Sequence, residues 1–160
     1  MIKYCYDKWN RNKEKLRNWL KNTDGLNSCV YEDLMKAVVT YILNDGNDND
    51  VEASFIRWDA KNITVIDDGD FQGTIVFLIP RYTYQPCEYD YLMSFANYGS
   101  CSVCDALQSI QDWHYGYDQS HLSEEQIDDF MNLCKDLVCN IIKPYNNGWR
   151  YSSDFDAVEF

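Results

Sequence analysis

The sequence predicts an α+β fold: an antiparallel sheet of three or four strands, with two N-terminal and two C-terminal helices. Three observations carry this. Apolar residues recur at steps of three and four between Trp9 and Ile42, and again between Leu107 and Ile141, the spacing of a buried helix face. In the middle the period shortens, and runs rich in β-branched and aromatic residues alternate with Gly, Pro, Asn and Asp. At 160 residues and 46% hydrophobic content, the chain can close one core and is too apolar for wholesale disorder.

The first helix is expected from Asp7 to about Asn22, with Trp9, Leu16, Trp19 and Leu20 on one stripe. Lys8, Arg11, Lys13, Lys15, Arg17 and Lys21 occupy its other faces. Thr23-Asp24-Gly25 ends it, and Gly25 suits a left-handed turn. A second helix runs from about Tyr31 to Leu43, burying Leu34, Met35, Val38, Val39 and Ile42. The polar run Asn44 to Asp50 follows and belongs in water.

Strand character appears in Val51 to Trp58, Ile63 to Ile66, Thr74 to Ile79 and Glu88 to Tyr98. Asp67-Asp68-Gly69-Asp70 reads as a turn, and Pro80 and Pro86 bracket the crossing Arg81-Tyr82-Thr83-Tyr84. A third helix starts at the Cys101–Cys104 segment, where Ser100 or Ser102 could cap it, and carries Leu107 and Ile110. A fourth starts with the capping box Ser123-Glu124-Glu125-Gln126 and buries Ile127, Phe130, Met131, Cys134, Leu137, Val138 and Ile141, until Pro144 and Gly148 end it. The chain reads as a single domain, 1–160, whose last residues, Ser152 to Phe160, form an acidic flexible tail.

Charge limits the partners. Asp and Glu number 26 against 14 Lys and Arg, a net −12. Direct nucleic-acid binding is excluded, because neutralising phosphates takes Lys and Arg; a basic protein surface is the natural counterpart. Half of the 14 basic residues lie at or before Lys21, so the remainder is more acidic still. The carboxylates fall in groups, which with neighbouring tyrosines give a candidate partner-binding set: Asp67, Asp68, Asp70, Tyr82, Tyr84, Glu124, Glu125, Asp128 and Asp129. Carboxylates at 124 and 125 also complement a helix N-terminus, and net charge by itself keeps a protein dispersed.

The longest apolar stretch, Ile75 to Ile79, is too short to span a bilayer. Met1 to Asp7 contains no apolar h-region, so an intracellular protein is expected. Seven irregularly spaced cysteines fit reduced thiols better than a disulfide framework.

Cys101 and Cys104 have the spacing of a chemical site, and three readings stay open. The pair could be a tight structural junction with inert thiols. It could be half a zinc site, zinc being the one cofactor so implied. A helix from Cys101 to Asp112 would be roughly 18 Å long, carrying His114 and His121 too far from the pair. The antiparallel return of the next helix then makes Cys134 the third ligand and Cys139 the next candidate; if the segment after Cys104 is loop instead, both histidines re-enter as candidates. The last reading is thiol redox chemistry at a strand-to-helix junction. No Gly-rich phosphate loop, full calcium loop or nucleophile elbow accompanies these residues, so a non-enzymatic role is expected.

Two stretches carry a resemblance. Ile63-Thr64-Val65-Ile66-Asp67-Asp68-Gly69-Asp70-Phe71-Gln72-Gly73-Thr74 and Tyr98-Gly99-Ser100-Cys101-Ser102-Val103-Cys104-Asp105-Ala106-Leu107-Gln108 together resemble a family of small proteins encoded by bacteriophages and related mobile elements. The second motif is the more specific. The resemblance implies a phage origin and the host bacterial cytoplasm as the place of action. Small acidic phage proteins of this kind include anti-CRISPR inhibitors, which bind RNA-guided nucleases and block nucleic-acid access. By that analogy the expected partner is a type II CRISPR effector nuclease, and a zinc-stabilised phage structural or scaffold protein is the alternative.

Overall fold

The computed structural model describes residues 1–46, 57–112 and 122–144. The run 47–56, His114, His121, Gly148 and the tail from Ser152 lie outside the described residues. Helix α1 spans Ile2–Asn22 and begins ahead of the expected Asp7, because Cys5 is buried and lengthens the stripe formed with Leu16 and Leu20. Gly25, at φ 79°, takes the left-handed turn and leads into a single 3-10 turn, Leu26–Ser28. Helix α2, Tyr31–Ala37, continues as π-turns over Val38–Leu43. The expected span therefore holds, but its second half is wound more loosely: the Asn44 N–H reaches back to the Val39 carbonyl at 2.9 Å. Val38, Val39, Ile42 and Leu43 are all buried there.

Strands β1, Thr64–Asp67, β2, Gly73–Pro80, and β3, Tyr91–Tyr98, form an antiparallel sheet in that order. Val65 faces Phe77, Phe77 faces Ser94, and Ile79 faces Leu92. With a period of two, this register turns Phe77, Ile79, Leu92, Ser94 and Ala96 to the core. Glu88–Asp90 is a 3-10 turn rather than the expected start of β3. There the Asp90 N–H donates to the Cys87 carbonyl at 2.8 Å, so that residue's donor is not available to a ladder. Of the expected strand Val51 to Trp58 only its end is described, where Trp58 bridges Arg81.

Helix α3, Ala106–Asp112, is short, and α4 spans Glu124–Cys139. The capping box forms as expected: Gln126 N–H donates to Ser123 Oγ at 3.2 Å and Ser123 N–H to Gln126 Oε1 at 3.0 Å. The helix stops before the expected Ile141. Asn140 donates its side-chain amide to the Phe95 carbonyl at 3.0 Å, and Ile142 exchanges both backbone bonds with Met93. Pairing to the free edge of β3 wins over one more helical turn. Deep in the core, Ser94 Oγ donates to the Leu137 carbonyl at 2.7 Å, tying α4 to the sheet.

The cations of α1 hold neighbouring elements. Lys8 pairs with Asp45 at 2.7 Å, and Lys15 Nζ donates to the Asp45 carbonyl at 2.6 Å. Asn12, fully buried, donates to the Ile42 carbonyl and to the Asp45 carboxylate. Farther along, Arg17 bridges Asp128 at 2.6 Å and Glu124 at 3.0 Å, and Lys21 reaches Glu124 at 2.7 Å. Asp45 sits at φ 58° just after the π-turns. Burial would raise its carboxyl, but the bonds from Lys8 and Asn12 outweigh that and hold it below the usual carboxylate range.

Two outcomes follow from these contacts. Asn44 is buried and bonds both the N–H and the carbonyl of Trp58, at 2.9 and 2.8 Å. Asn44→Ala removes both bonds and is expected to cost about 2–3 kcal/mol in urea denaturation, whereas Asn62→Ala at the surface changes stability by less than about 0.5 kcal/mol. Asp45→Asn keeps a side chain that tolerates positive φ and loses only the charge. A carboxyl depressed in the folded state contributes stability that is complete above its unfolded pKa of about 3.9 and is lost as pH falls through the folded value. The variant should therefore be less stable than wild type at neutral pH and equally stable in strong acid, as read by thermal melts across that range.

Candidate functional site

The two sequence motifs meet at Tyr98. The β1–β2 connection is pinned by its own carboxylates: Asp67 Oδ1 accepts from the Gly69 N–H at 3.1 Å, and Asp68 Oδ1 accepts from the Thr74 N–H at 2.8 Å. Tyr98 Oη lies 2.7 Å from both Asp67 Oδ1 and the Gly69 carbonyl. A Cβ on Gly69 would stand 2.1 Å from the Gln72 carbonyl oxygen, so only glycine closes this turn. Asp67, Asp68 and Asp70 remain exposed, and Phe71 at the tip is 80% exposed. The Tyr98 phenol is pushed up to about 12, first by its hydrogen bond to Asp67, then by burial and the negative field of Asp67, Asp68 and Asp70.

After Tyr98 the chain makes a closed turn before α3. The N–H groups of Cys104 and Asp105 both donate to the Cys101 carbonyl, at 2.8 and 2.9 Å. Helix α3 thus starts at Ala106 and not at the cysteine pair, and at seven residues it is roughly 10 Å long in place of the expected 18 Å. The capping carboxylate is Asp105, not Ser100 or Ser102: its Oδ1 accepts from Gln108 N–H at 3.0 Å and from Tyr31 Oη at 3.0 Å. A Cβ on Gly99 would lie 2.3 Å from the Cys104 Cβ, so glycine there lets the strand end fold against the turn.

Both thiols are exposed, with their sulfurs 3.4 Å apart. The Cys101 thiol is lowered from its ordinary value by the Cys104 thiol and by the N–H groups of Val103 and Cys104, whereas Cys104 is raised by its neighbour. Between this turn, the hairpin and the start of α2 lies a cleft of about 450 Å³, lined by Cys29, Tyr31, Asp67, Tyr98, Asp105 and Gln111 among others.

The other expected zinc ligands are elsewhere. Cys134 is buried in the core, with burial raising its thiol, and Cys139 is exposed beside Cys5 and Trp9 in a separate apolar cleft between α1 and α4. Among the described residues no three His, Cys, Asp or Glu side chains form a group able to hold a metal. The partner-binding set is likewise divided. Asp67, Asp68 and Asp70 cluster at one end of β2, and Tyr82 and Tyr84 follow its other end, ~25 Å away along the strand. Tyr84 is 96% exposed, but Tyr82 lies under the Arg57 guanidinium, 5.0 Å from its ring centre. Glu124 and Asp128 face the cations of α1, whose pairing holds the Glu124 carboxyl below its usual range; Glu125 and Asp129 are exposed on the same helix.

Comparison with protein-family profiles, with curated proteins and with solved structures returns no match. No described helix is long and apolar enough to cross a membrane. Tyr31 and Asp105, which join α2 to the cysteine turn, escaped the sequence reading. Asp105 stood within the quoted motif, but Tyr31, remote in sequence, gave no local signal.

Asp67→Asn should test the pinning. The amide oxygen can still accept from Tyr98, but the charge that disfavours the phenolate is gone. The Tyr98 pKa, followed by NMR of ring-labelled tyrosine, should fall from about 12 toward the ordinary value near 10; no movement would mean the phenol does not sense that carboxylate.

Proposed function

We propose that this chain is a non-catalytic, phage-encoded inhibitor of the anti-CRISPR kind, which acts in the host bacterial cytoplasm by seating an acidic hairpin in the basic nucleic-acid channel of a type II effector nuclease. The observation that carries the reading is the hairpin tip. Three exposed carboxylates, Asp67, Asp68 and Asp70, stand beside exposed Phe71, in a turn already held by its own hydrogen bonds. Pre-organised charge docks without the entropy cost of ordering a loop. An aromatic side chain amid the carboxylates adds contact area that a bare anion lacks. The fixed carboxylates compete with phosphate for the same cationic groups.

The proposed contact face takes in only part of the expected set. Glu124 and Asp128 are engaged by Arg17 and Lys21, so the reading rests on the tip and not on α4. The phage origin itself derives from the motif resemblance around Asp67 and Cys101.

A pull-down from bacterial lysate containing a type II effector should recover the nuclease. The affinity should drop steeply between about 50 and 200 mM salt, and a combined Asp68→Asn and Asp70→Asn variant, still folded, should bind more slowly and with a weaker salt response. An affinity indifferent to salt, or unchanged in that variant, would overturn the reading.

A further inference from the structure

The docking reading leaves the Cys101–Cys104 turn without a task, yet two exposed thiols meet there at 3.4 Å. A disulfide needs the sulfurs about 2.0 Å apart, and both side chains are exposed, so closing the gap displaces no core residue. Gly99 permits the close approach of Cys104, and the Cys101 carbonyl receives two backbone N–H groups that fix the turn. We propose that Cys101 and Cys104 form a reversible dithiol–disulfide couple that exchanges with small-molecule disulfides of the glutathione class.

The steps balance as ordinary thiol–disulfide exchange. The Cys101 thiolate attacks one sulfur of the small disulfide; a new S–S bond forms, the old one breaks, and one small thiolate leaves. Cys104 then gives its proton to solvent and attacks Cys101 Sγ, closing the ring and releasing the second small thiolate. Two protein thiols are oxidised to one disulfide, and the small disulfide is reduced to two thiols. The roles follow from position. The Cys101 sulfur lies 3.4 Å from that of Cys104, which together with the turn's N–H groups lowers the Cys101 thiol and favours it as the attacking thiolate, leaving Cys104 as the resolving thiol. The other cysteines differ in kind. Burial pushes Cys5 and Cys29 up to about 11 and raises Cys134 as well, exposed Cys87 bonds the Asp90 carboxylate, and exposed Cys139 lines the apolar cleft between α1 and α4, away from the pair.

Oxidation would close a ring between Tyr98, which anchors the acidic hairpin, and Asp105, which anchors α2. The couple therefore sits where redox state can be felt by both sides of the cleft.

The test uses the full reduced chain in mixtures of glutathione and its disulfide, quenched by alkylation and mapped by mass spectrometry. The peptide bearing both cysteines should become lighter by two hydrogens and lose both alkylation sites, while Cys87 stays alkylatable. Cys104→Ser should stop at a glutathione adduct on Cys101, and Cys101→Ser should form no ring. A wild-type adduct that never closes, a Cys101 no more reactive than Cys87, or thiols shielded by added zinc until a chelator is supplied would each overturn the proposal, the last in favour of a metal site.

Discussion

A chain with a net charge of −12 must bring some carboxylates close together as it becomes compact, and like charges in one small volume resist that. The basic helix α1 relieves the conflict. Its apolar stripe, Cys5, Leu16 and Leu20, is buried in the core, and its flanking cations reach the two places where acid-bearing elements approach it. Lys8 and Lys15 clasp Asp45 where the π-turns end, and Arg17 and Lys21 clasp the first turn of α4. The Arg17 and Lys21 pairs are largely exposed, so they contribute orientation more than stability, whereas Lys8–Asp45 is half-buried and contributes to both. Burial of the stripe supplies the driving force, and the cations fix which way the helix faces.

The same division organises the sheet. Its core side is apolar apart from Ser94, whose hydroxyl is satisfied by the Leu137 carbonyl, so no buried polar group is left open there. Its two ends differ in chemistry. The turn between β1 and β2 concentrates carboxylates; the crossing after β2 mixes tyrosines with Arg57, Arg81, Glu88 and Asp90. Among the described residues the sheet therefore presents one acidic end and one mixed end, not a single anionic face.

Tyr98 links the two motifs. Its backbone is the last residue of β3, so the cysteine turn must start beside it, and its hydroxyl holds the hairpin. That side chain and the glycine that follows it thus join the two motifs. Asp105 plays the matching part on the far side of the turn, where it caps α3 and binds Tyr31.

Periodicity with local turn and cap signals was enough for the α+β class, for the span of α2 through Leu43, for the capping box at Ser123 and for the hairpin turn at Asp67 to Asp70. Each is a local matter: which side chains repeat at which interval, and which residues can bend a chain. The same reading placed the third helix too early, carried the fourth too far and began β3 at Glu88. In those places a local preference competes with partners remote in sequence, Met93 for Ile142 and Tyr31 for Asp105. Only the tertiary structure decided which charges are free and which are engaged, because Arg17 meets Asp128 across more than a hundred residues. It also set Cys134 in the core and left Cys101 and Cys104 face to face at the surface. Residue type states what a side chain can do; packing selects its neighbour, and at these positions the neighbour determines the chemistry.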